Sequence, residues 1–102
     1  MTVMSTEERQ AAQHRLNDLL TIVRNVPDQR DQLARLVEEA EALDRAISAF
    51  HLEAIRFRIY NVDRLVQHPA VPLPVEALTI VADIRKHLEA AGFHTRSHQS
   101  PV

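Results

Sequence analysis

The chain has 102 residues, 45% of them apolar and 25% charged, with a net charge of −2, one Gly, five Pro and no Cys or Trp. That composition suits one small globular domain and excludes disorder, collagen-like repeats and low complexity. The missing cysteine removes disulfides, thiolate nucleophiles and Cys-based metal centres, and a lone glycine removes the Gly-rich phosphate loops of nucleotide-binding folds.

The first stretch, Met1–Glu8, is short and soon acidic, so no signal peptide is expected there. No apolar run approaches the roughly 18 residues that span a bilayer, and a cytoplasmic protein is expected. Ser5 and Glu8 have the spacing of a capping box, which predicts a helix over 5–25. Its apolar stripe is Ala12, Leu16, Leu19, Val23 and Val26, and Pro27 ends it.

A second helix is predicted over 28–67, starting beside Asp28 and Asp31 and containing neither Gly nor Pro. Leu33, Leu36, Ala40, Leu43, Ile47, Phe50, Ala54 and Phe57 follow a 3-4 repeat, a heptad seam suited to a partner helix. From Ile55 a second stripe joins it, formed by Ile55, Ile59, Val62 and Val66. A break near Ser48–Phe50 is compatible with the pattern, although no residue there demands one.

Three prolines make residues 68–74 a stiff linker, and Pro74 and Glu76 start a third helix over 74–91. Ala77, Val81, Ile84, Leu88 and Ala91 form its stripe, widened by Leu78 and Ile80, and Gly92-Phe93 has the form of a Schellman cap. A polar tail over 93–102 completes the chain. The expected architecture is therefore all-α, a single domain of three helices with a long central one. At about 1.5 Å per residue that helix would be about 60 Å long, too long for its neighbours to close one core. The seam then requires a second copy, giving a homodimer with a four-helix-type core. If the long helix breaks near Ser48, a monomeric four-helix bundle becomes the better reading.

Few residues suit catalysis. No Ser–His–acid grouping is apparent, and Glu38, Glu39, Glu41 and Asp44 read as a charged edge of the seam, balanced by Arg35 and Arg45. His51, His68 and His87 are the weak candidates for metal or pH sensing, and no cofactor is expected. His94 and His98 have helical metal spacing but fall in the tail. The pairs His14/Asp18 and Asp83/His87 suit helix-stabilising contacts. Arg56, Arg58 and Arg64 alternate with Phe57 and Tyr60, and with Arg85 and Lys86 they form a candidate surface for an anionic partner.

The order and lengths of these helices over residues 5–91 are similar to those of small all-helical bacterial repressors that sense copper or formaldehyde. That resemblance implies dimerisation through a long second helix. Those families sense through a cysteine, which this chain lacks, so their chemistry does not carry over. The composition favours binding over catalysis: a protein–protein interaction module such as a small adaptor, chaperone-like partner or accessory subunit of a bacterial assembly. The alternative is a small regulator that binds nucleic acid through the arginine surface, responsive to metal or pH through its histidines. No membrane contact is expected.

Overall fold

Past Ser48 the chain does not continue as a helix. The computed structural model describes residues 6–27 and 30–93, and within them the chain forms α1 (Thr6–Arg24), α2 (Arg30–Ser48), α3 (Leu52–Gln67) and α4 (Glu76–Ala90). There is no strand among the described residues. The expected helix over 28–67 is thus two helices, and the three-helix architecture is corrected to four. The expected Ser5 cap, the start at Asp28 and the tail from His94, including the His94/His98 pair, lie outside the described residues.

The break has a defined geometry. Phe50 has φ +56°, in the left-handed region that disfavours any residue with a Cβ. Its N–H donates to the Ile47 carbonyl at 3.1 Å, and the His51 N–H donates to the Ala46 carbonyl at 3.0 Å. Those two bonds form a Schellman motif with phenylalanine where glycine is usual. His51 then caps α3, its Nδ1 accepting from the Ala54 N–H at 3.3 Å. An accepting Nδ1 carries no proton, so the cap uses a neutral imidazole.

The second stripe explains why the chain accepts this strain. Continued straight, the helix would carry Ile55, Ile59, Val62 and Val66 on a face rotated away from that of Leu33–Ile47. Turning back at Phe50 brings both faces into one core, where these four side chains are 0–4% exposed. Burying each contributes about 1.5–3 kcal/mol. A left-handed non-glycine residue costs about 1–3 kcal/mol, so burial wins.

The helices run up, down, up, down. Glu8 meets His87 and Arg15 meets Asp83, so α1 and α4 are antiparallel. Arg58 reaches back to Glu39 in the same way between α3 and α2. These two pairs make the most extensive contacts and pack together around Leu16, Leu19, Leu43, Ile47, Ile55, Ile59, Ile84 and Leu88. The radius of gyration is 13.2 Å and the longest dimension 46 Å, shorter than the straight central helix would be. A radius of about 13 Å is that of a compact chain of this size.

The ends follow the sequence more closely. The chain leaves α1 at Asn25 and Val26 with Pro27 behind them. The Gly92 N–H donates to the Glu89 carbonyl and the Phe93 N–H to that of Leu88, with Gly92 at φ +101°. Phe93, expected as the first residue of the tail, is buried against the core as the apolar contact of this cap. Residues 68–74 form no helix, and Val71 and Leu73 pack them onto the core.

Candidate functional site

The expected dimer seam separates at the break. Leu33, Leu36, Ala40, Leu43 and Ile47 are at most 3% exposed, inside the core of the single chain. Ala54 is half-buried, whereas Phe50 and Phe57 face outward, 56% and 45% exposed. The reason is the turn at Phe50, which rotates α3 so that Ile55 and Ile59 replace Phe57 on the core face.

Phe50 lies at one end of the bundle, where α1 begins, α2 passes into α3 and α4 finishes. The Arg9 guanidinium carbon stacks 4.2 Å from the centre of its ring, and the Phe93 ring packs against it at 6.0 Å. Arg9 Nε is buried without a hydrogen-bond acceptor. The ring face partly compensates by attracting the cation. Leu52, 43% exposed, opens α3 beside this cluster. Further along α3, Arg58 stacks on Phe57 at 5.1 Å and Arg64 lies over Tyr60 at 5.9 Å. Within eight residues the chain thus exposes three large apolar side chains and flanks two of them with guanidinium groups. Val75 and Leu78, at the start of α4, are the other large exposed apolar side chains among the described residues.

The candidate anion-binding residues are engaged with carboxylates. Arg56 pairs with Glu53 at 3.2 Å, Arg58 with both oxygens of Glu39 at 3.0 Å, and Arg85 with Asp63 at 2.6 Å. Arg64 donates to the Tyr60 hydroxyl at 3.4 Å, and Lys86 is exposed on α4. An incoming phosphate would have to displace a carboxylate at three of these five cations. The acidic edge is also wired differently from the expectation. Glu41 pairs with Arg24 of α1, Glu39 with Arg58 and Asn61 of α3, and the Asp44 carboxylate accepts from Gln13 of α1. The tertiary fold, which brings other helices closer than Arg35 and Arg45, sets these pairs.

The histidines are separated. His51 caps α3, His68 ends it, and His87 Nδ1 lies 2.7 Å from Glu8. No group of three or more potential metal ligands occurs among the described residues. Asp83 binds Arg15 at 2.9 Å, and Asp18 binds the same guanidinium at 2.8 Å. Both carboxylates raise the Arg15 pKa above its ordinary value, the hydrogen bond that Arg15 donates to Asp18 most strongly.

A cleft of about 1080 Å³ opens between the end of α1 and the start of α2, lined by Val23, Val26, Leu33 and Val37 with Arg24 and Glu41 at its edge. Leu52 and the Arg9–Phe50 stack carried no sequence signal, because both depend on where the helix breaks. No helix among the described residues is long and apolar enough to cross a membrane. Comparison with protein families, curated proteins and solved structures finds no match to this chain.

Proposed function

We propose that this chain is a non-catalytic helical interaction module that binds a partner protein at the α2–α3 corner and along the first turns of α3. The exposure of Phe50, Leu52 and Phe57 within eight residues, in a fold that buries its other long apolar stripes, carries this reading. Aromatic side chains flanked by arginine suit a protein interface, where Phe, Tyr and Arg are enriched and supply most of the binding energy. The engagement of Arg56, Arg58 and Arg85 with carboxylates favours a protein over a nucleic acid as partner. The role would be that of a small adaptor or accessory subunit.

Site-specific photocrosslinking in the host tests this reading. A benzophenone side chain at Phe57 should give a discrete adduct that excess unmodified protein competes away. The same probe at Ala82, exposed on α4, should give none. Identical adducts from both positions, or none from either, would refute the assignment.

A further inference from the structure

The corner at Ala49–His51 contains no glycine or proline, and neither does the rest of the chain from Arg30 to Gln67. Its backbone reverses with Phe50 held at φ +56° and His51 extended after it. The 3-4 repeat from Leu33 crosses this corner without interruption and ends in Phe50, Ala54 and Phe57, which the closed fold leaves largely outside its core. The apolar repeat and the absence of glycine and proline therefore favour a straight helix, against which tertiary packing, the Schellman bonds and the His51 cap hold the turn.

We infer that the α2–α3 corner is a hinge for domain exchange between two copies of the chain. In the exchanged dimer residues 30–67 form one helix, and the α3–α4 hairpin of each copy packs on the α1–α2 hairpin of the other. The occupant is a second copy because opening exposes two faces that already fit each other. Glu39–Arg58, Arg15–Asp83 and Glu8–His87 all join the first hairpin to the second, so each can re-form between copies with unchanged geometry. What differs is the hinge. Phe50 leaves the left-handed region, and Phe50, Ala54 and Phe57 line up with the seam on the long helix beside the two-fold axis. Opposing this gain is the freedom lost on association, so the exchange is driven by concentration. A short hinge under strain is a recurrent setting for such swaps. The exchange requires no other protein, and because it takes Phe50 and Phe57 from the surface the partner-binding proposal uses, the exchanged dimer and the partner compete for the corner.

The absence of native cysteine permits a direct test. Arg15→Cys and Asp83→Cys are introduced together, the chain is refolded at low and high concentration, and monomer and dimer fractions are joined with a short bismaleimide. Exchange predicts covalent dimers from the dimer fraction and internally linked monomers from the monomer fraction. Internally linked monomers alone from the dimer fraction would show two closed chains side by side and overturn the proposal, as would the absence of any dimer. Phe50→Gly, at ease in the left-handed region and poor in a helix, should raise the dimer dissociation constant at least roughly tenfold. Phe50→Ala, which removes the same ring but keeps the Cβ, should not raise it. An equal rise in both variants would place the effect in the ring and contradict the hinge.

Discussion

Arg58 on α3 places Nη1 3.0 Å from both carboxylate oxygens of Glu39 on α2, and the Asn61 amide donates to one of them at 3.2 Å. Glu39 is 8% exposed and is the one buried charged residue among those described. A carboxylate in that position needs its partners, because the charge stays desolvated when they are removed. Breaking a fully buried pair costs about 3–5 kcal/mol, and the partial exposure of the guanidinium reduces this. Arg58→Ala should therefore lower stability to urea by about 2 kcal/mol. The double variant Glu39→Leu/Arg58→Met should recover most of the loss, and equal losses in the two would contradict the burial argument.

Gly92 ends α4 at φ +101°, and a Cβ added there would meet nothing within 4 Å. Any cost of Gly92→Ala is then backbone strain rather than collision. The expected loss is about 1–2 kcal/mol, visible as a lower urea midpoint with an unchanged slope. A neutral result would mean that the helix end relaxes into another conformation.

Arg15 bridges Asp18 of its own helix and Asp83 of α4, and all three side chains are partly exposed to solvent. Asp83→Asn should cost less than about 1 kcal/mol, and added salt should shrink the difference from wild type. The pH dependence follows from the raised guanidinium pKa. A group held above its unfolded value stabilises fully below that value and loses its contribution only as pH rises through the folded one. For Arg15 both values lie far above the neutral range, so its titration adds no stability change there. A guanidinium-linked stability change near pH 7, absent in Arg15→Met, would contradict this.

Duplex DNA separates the two sequence-level functions. With Arg56, Arg58 and Arg85 held by carboxylates, the isolated protein should bind it no better than about 10⁻⁴ M at physiological salt. Arg56→Ala with Arg64→Ala should leave that weak binding and its salt slope unchanged. Tight binding whose slope falls in the double variant would restore the nucleic-acid reading.

Most of the fold could be read from periodicity. The stripes Ala12–Val23, Leu33–Ile47, Ile55–Val66 and Ala77–Leu88 are the four faces of the core, and Gly92-Phe93 is the cap its spacing implied. The break near Ser48–Phe50 stands in the sequence only as an alternative to one long helix, since no glycine, proline or common N-cap residue marks Ala49–His51. Its one sequence trace is the shift of phase between Ile47 and Ile55, eight residues that rotate the apolar face by about 80° on a 3.6-residue helix. That shift appeared as a second seam, and in the structure it is the reason for the turn. The site was less legible for the same reason. Phe50 and Phe57 look like seam residues in sequence, and only the turn at Phe50 moves them to the surface.

The corner and the proposals built on it depend on the backbone at Phe50 in the dilute, monomeric protein. Backbone NMR assignment of residues 44–56 tests it directly. The expected result is helical Cα shifts through Ser48, a loss of helical shift at Phe50 and His51, and helical values again from Leu52, with cross-peaks between the Phe50 and Phe93 rings. Unbroken helical shifts from Arg45 to Arg56 in the monomer, without those cross-peaks, would contradict the four-helix account.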